Sequence, residues 1–175
     1  MDSAAPEAIQ IVRESIDKVN PKAIVIDGAS PIKVDDSSLI RGKRVLVVED
    51  GPTLTHGEMK LGAGVVAAHK FGAAELVDPR PFTVGRLSDT FRQYPDIGTL
   101  LPAMGYGEQQ LKDLETTINN TDCDSVIIAT PIDLNRIIKK PNTRVYYDLQ
   151  EIGDPNLTQV IDEFVKKHKL KRGKK

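Results

Sequence analysis

Nine consecutive residues, Glu49-Asp50-Gly51-Pro52-Thr53-Leu54-Thr55-His56-Gly57, hold the densest chemistry of the chain. They follow Arg44-Val45-Leu46-Val47-Val48, an unbroken apolar run of the kind that a strand covered on both faces requires. Ligands of open parallel sheets collect beyond the carboxyl ends of the strands, which is where these residues would stand. Thr53 and Thr55 offer hydroxyls to a phosphate, and Gly51 and Gly57 permit tight turns and close ligand approach. Amides entering a helix near Glu58 would add an anion-friendly helix N-terminus. His56 is suited to acid or base work near neutral pH. Glu49 or Asp50 is a ligand for a hard cation such as Mg²⁺, but adjacent strand residues point to opposite faces, so one site receives at most one of them. The competing structural reading is a polar loop with Thr55 as a helix N-cap.

Two further strand ends carry polar residues. Asp78-Pro79-Arg80-Pro81 brackets Arg80 between prolines, which stiffens the backbone and suits Arg80 to a bidentate phosphate clamp or to a solvated turn. Ala129-Thr130-Pro131 ends a strand, and Thr130 reads as a helix cap. Gly105-Tyr106-Gly107 suits either a flexible turn that covers a ligand or a plain turn before a helix, and glycines so placed commonly mean the plain turn. Cys123 has no basic group beside it in sequence and reads as a buried, inert thiol. No Gly-x-x-x-x-Gly-Lys-Ser/Thr loop occurs. Gly62-Ala63-Gly64 only partly matches the dinucleotide fingerprint and falls inside an expected helix, which argues against that use.

The elements that must position these residues alternate between strand and helix. Helices are expected from Ala5 to Val19, about Glu58 to Phe71, Gly107 to Asn119, Asp133 to Ile138 and Leu157 to Lys169. Strands are expected at Ala23–Asp27, Arg44–Val48, Ala74–Val77, Ser125–Ala129 and Arg144–Tyr147. The stretch from Ser30 to Lys43 reads as a connector, and Val84 to Tyr106 as irregular with helical turns. The fold class is α/β, a mainly parallel sheet with helices on both faces in a three-layer, P-loop or Rossmann-like arrangement.

The chain has 175 residues, 39% apolar and 28% charged, an ordinary globular mixture. No apolar run reaches the roughly 20 residues that cross a bilayer, and the polar beginning is not a secretory signal. With a single cysteine, the expected location is the cytoplasm. Residues 166–175 form a basic tail with seven Lys/Arg, which leaves 17 basic against 25 acidic residues in the body. An acidic body opposes nucleic acid, so the tail reads better as the solvated end of a helix.

Val45 to Gly64 (VLVVEDGPTLTHGEMKLGAG), Val77 to Pro81 (VDPRP), Leu101 to Glu108 (LPAMGYGE), Thr130 to Leu134 (TPIDL) and Asp148 to Pro155 (DLQEIGDP) together carry a resemblance. They resemble the C-terminal portion of the cyclic 2,3-diphosphoglycerate synthetase family, also described as predicted P-loop GTPases. The resemblance implies ATP-driven closure of an intramolecular phosphoanhydride, with Mg²⁺ and ATP (or GTP) as cofactors and a small phosphorylated substrate.

It further implies that the chain is truncated at its N-terminus relative to the family. Asp2 resembles the end of an Asn-Lys-x-Asp base-recognition motif, and Ala29-Ser30 the base-contacting loop that follows. The expected division is 1–35, the end of a nucleotide-binding domain; 36–165, an α/β domain with the substrate site; and 166–175, the tail. Within that frame Thr53, Thr55, Gly57 and Arg80 hold phosphate, His56 is the catalytic candidate, and Glu49 or Asp50 binds metal. A separate N-terminal nucleotide-binding partner chain and self-association are expected. The alternative function is a phosphometabolite-binding module or GTPase-related accessory protein without catalysis.

Overall fold

The computed structural model of the chain describes residues 4–51, 62–105 and 107–168. From the N-terminus its elements are α1 (Pro6–Val19), β1 (Asp27–Ala29), β2 (Ile32–Val34), β3 (Arg44–Asp50), α2 (Ala63–Lys70), β4 (Glu75–Leu76) and α3 (Arg86–Gln93). There follow β5 (Leu101–Ala103), α4 (Glu108–Asn120), β6 (Ser125–Ala129), β7 (Asn142–Tyr147), β8 (Gln150–Ile152) and α5 (Leu157–Lys167). Among the described residues no helix is long and apolar enough to cross a membrane.

The chain divides into two compact units, residues 32–146 and residues 1–31 with 147–175. The first is built on β3, whose Val45, Leu46, Val47 and Val48 are wholly buried. Such an apolar run is stable only when both faces are covered. Strand order is β2-β7-β6-β3-β4, and β3 pairs in parallel with β4, β5 and β6, as β6 does with β7. The fold is thus α/β with a mostly parallel sheet, as the alternation of elements predicts.

One edge of β3 is shared. β4 pairs with its beginning at Arg44 and Val45, and β5 pairs with its end from Val48 to Asp50. The β3–α2–β4 crossover and the β5–α4–β6 crossover therefore run in opposite directions across the sheet. Right-handed connections then place α2 and α4 on opposite faces, giving three layers. Pro102, in the short strand β5, stands opposite Glu49. A residue without an N–H is tolerated in such an edge position.

The second unit consists of α1, α5 and the antiparallel pair β1–β8. Pro6 opens α1 at its first turn. Asn156 and Gln159 cap α5 reciprocally: the Asn156 carboxamide accepts from Gln159 N at 2.9 Å, and the Gln159 carboxamide from Asn156 N at 3.1 Å.

Several expectations need correction. Ala23–Asp27 is not a buried strand: Ile24 and Val25 are exposed, and the strand lies later, at Asp27–Ala29, because its partner β8 sets the register Asp27↔Ile152. Residues 133–138 form turns instead of a helix. The Asp133 side chain accepts from Asn135 N at 3.2 Å, and the Leu134 carbonyl closes one turn with Ile137 and Ile138. The connector 30–43 contains β2, and the irregular stretch 84–106 contains α3 and β5. Gly62 is not inside a helix but is the N-cap of α2, whereas Gly64 lies in the first turn of that helix.

Candidate active site

The carboxyl end of β3 lies at a reversal of strand order. After β3 the chain builds β4 and β5 on one side, then crosses to β6 on the other. Crevices of open parallel sheets form at such a switch point. The parallel register sets Glu49 beside Pro102 of β5 and Ala129 of β6, and Asp50 beside Ala103. Gly51 closes this end tightly: a Cβ there would sit 2.3 Å from Met104 Sδ and 2.7 Å from the Ala103 carbonyl oxygen.

Glu49 is almost wholly buried, 3% exposed, and its role is visible in its bonds. Oε1 accepts the backbone N–H groups of Gly64 (2.7 Å) and Val65 (3.0 Å), so the carboxylate caps α2 from the neighbouring strand. Two glycines make the approach possible. A Cβ on Gly62 would meet the Glu49 carboxyl at 2.3 Å, and one on Gly64 would meet Val47 Cγ1 at 2.6 Å. The helix N-terminus that could receive an anion is thereby filled by the protein's own carboxylate.

Burial raises the Glu49 carboxyl to about 7, against the two amides that hold it down. A carboxyl poised there can exchange a proton at neutral pH. Since α2 lies against Val47, Glu49 and Ala129, the alternation of β3 turns Asp50 to the other face of the sheet. One cation is therefore not held by both carboxylates from within β3. Among the described residues no group of three His, Cys, Asp or Glu side chains is placed to hold a metal ion.

Arg80 is engaged within its own turn. Nη1 donates to both oxygens of Asp78 at 3.1 Å, Nη2 donates to the Ile97 carbonyl, and the guanidinium lies 4.9 Å from the centre of the Phe91 ring. Among the described residues it makes no bond to Glu49 or Asp50. Ala29, the last residue of β1, pairs with Gln150, and Ser30 follows it; both belong to the second unit. Thr53, Thr55, His56 and Gly57 of the loop, together with Asp2, lie outside the described residues. Cys123 is partly buried against the core, and burial pushes its thiol up, in keeping with an inert side chain.

Two further residues, Thr130 and Arg144, belong to this region. Thr130, read as a helix cap, is buried and closes a short turn by accepting from Ile132 N at 3.4 Å. Arg144, read only as the start of a strand, donates through Nη2 to the Thr130 carbonyl at 3.1 Å. The signal was the alternation Thr143-Arg144-Val145, which sets a charged side chain between two buried ones.

No known protein-family model matches the chain. Over 98% of its length the chain is 59% identical to the arginine synthetase ArcE of Thermococcus kodakarensis. The chain spans 39% of the length of that relative. At the coarse level, then, the similarity is to a synthetase.

Proposed function

We propose that this chain forms the substrate-side α/β part of a nucleotide-dependent synthetase that makes arginine, with its site at the carboxyl ends of β3 and β6. The observation that supports the reading most is the identity of 59% across 98% of the chain to a protein named as an arginine synthetase. The sheet contributes a switch point with two acidic residues on opposite faces, and a buried carboxyl at about 7 suited to proton transfer. The nucleotide, with Mg²⁺, is held in large part by protein outside this chain, because no phosphate-binding loop occurs in it. Glu49 acts as an acid–base group and as the cap of α2, while Asp50, on the opposite face of the sheet, faces a cation or a cationic substrate group.

A second reading rests on the motif resemblance carried by residues 45–64, 77–81, 101–108, 130–134 and 148–155: the portion of an enzyme closing cyclic 2,3-diphosphoglycerate. The two differ in what they consume. The chain, recovered in its native assembly from its source cells, is assayed in reverse. The arginine reading expects ATP to form when L-arginine is supplied with ADP or AMP, phosphate or pyrophosphate, and Mg²⁺. ATP formation from cyclic 2,3-diphosphoglycerate, with none from L-arginine, would replace the first reading with the second. The isolated 175-residue chain is expected to bind neither ATP nor GTP measurably.

A further inference from the structure

An arginine taken partly out of water needs acceptors for its five donors, and a carboxylate usually supplies them. Among the described residues three arginines are half-buried: Arg44, Arg80 and Arg144. Arg44 meets Glu75 at 3.0 Å and Asp122 at 3.2 Å, and Arg80 meets Asp78 at 3.1 Å. Arg144 meets no carboxylate among the described residues; its partner there is the Thr130 carbonyl. One bond to a carbonyl fixes the guanidinium without neutralising it.

Its position gives that charge a use. Arg144 is level with Ile128 of β6, and Ile128 is level with Val48 of β3. Side chains at one level of a parallel sheet share a face. Arg144 therefore stands on the face of Val48 and Asp50, opposite α2, at the carboxyl end of the switch point. Thr130, the residue that follows β6, lies between the two, and its hydroxyl, already an acceptor from Ile132 N, retains a proton to donate. From Arg144 to Asp50 is about 10 Å across two strand spacings and about 7 Å along the strands. A substrate the size of an amino acid with a long side chain reaches from one to the other.

We propose that Arg144 is the oxyanion anchor of this site, taking a substrate carboxylate or phosphate on its guanidinium with the Thr130 hydroxyl as a second donor. The choice of ligand rests on the synthetase reading above; the choice of residue rests on the sheet geometry alone. Arg80, whose fork is already spent on Asp78 and Ile97, is not the anchor.

The test is calorimetric titration of the full chain with L-arginine, with agmatine, which lacks the carboxylate, and with inorganic phosphate. Wild type is expected to bind L-arginine or phosphate, and to prefer L-arginine over agmatine by roughly 10-fold to 100-fold. Arg144→Gln should abolish that preference, and Arg144→Lys should keep part of it while losing the two-pronged geometry. Melting curves of both variants report folding, and the Lys variant carries the test if the Gln variant unfolds. Phosphate binding lost in Arg144→Gln, without any L-arginine binding, keeps the anchor and removes the arginine reading. Unchanged affinities in both variants, or no oxyanion binding by wild type, would overturn the proposal.

Discussion

Glu49 holds two positions in conflict. Its carboxylate completes the N-terminus of α2, which favours the charged form, while its burial favours the neutral one. Burial prevails, and the group sits at about 7 when folded, against 4.5 ordinarily. Between these values the folded chain binds the proton more tightly than the unfolded chain. Stability from this group is therefore full below pH 4.5 and falls as the pH rises through about 7. The loss is on the order of 3 kcal/mol. Urea unfolding of wild type between about pH 5 and pH 8 should show that decline, and Glu49→Gln should flatten it; equal slopes in the two proteins would contradict the assignment. Glu49→Ala leaves two buried amides unpaired and should cost about 1–3 kcal/mol at any pH. Gly62→Ala places a methyl against the same carboxyl and should destabilise by roughly 1–3 kcal/mol, read as a lowered urea midpoint.

That Glu49 and Asp50 diverge was legible from strand alternation; that Glu49 is spent on a helix fifteen residues onward was not. The pairing is a tertiary contact, and its only local trace is the glycine pair Gly62 and Gly64. Arg80 shows the same limit in reverse. Its prolines marked a rigid turn correctly, but the acceptors at Asp78 and Ile97 come from the turn's folded shape and from a remote loop.

Among the elements, long apolar strands and helices with regular apolar spacing were readable because their partners hardly affect them. β3 and β6, and α1, α4 and α5, fall close to where pattern alone places them. Short strands were not readable, since a three-residue strand is defined by its neighbour. β5 is a strand because β3 offers Val48 to Asp50 beyond the end of β4, and β8 because β1 offers Asp27 to Ala29.

The start of α3 repeats the device found at α2. Buried Asp113 of α4 accepts from Arg86 N at 3.1 Å and from Gln109 Nε2 at 2.9 Å. Gly85 makes room for it at φ 54°, where a side chain would strain the backbone and strike the carboxyl. Asp113→Ala should cost about 1–2 kcal/mol through the lost cap. Gly85→Ala should cost at least as much, about 1–3 kcal/mol. Thermal melts of the two variants check both, and a neutral Gly85→Ala would refute the steric account.

At the scale of the molecule the two units differ in kind. Among the described residues every buried apolar side chain belongs to residues 32–146, and none of the other unit is buried. Burial is what makes opening of a segment costly, so protection should be uneven. Amide hydrogen exchange is expected to be slowest in β3 and β6 and fastest in α1 and α5. Protection of α1 matching that of β3 in the isolated chain would show that its apolar stripe has a cover. The chain also spans only 39% of the length of the synthetase it is similar to.

The proposed substrate site lies where β3 and β6 end. Hydrogen exchange of the chain with and without L-arginine tests it directly. Slowed exchange confined to Glu49–Gly51 and Ala129–Thr130, and absent with agmatine, is the result expected. Exchange unchanged at both strand ends, or slowed instead along β1 and β8, would contradict it.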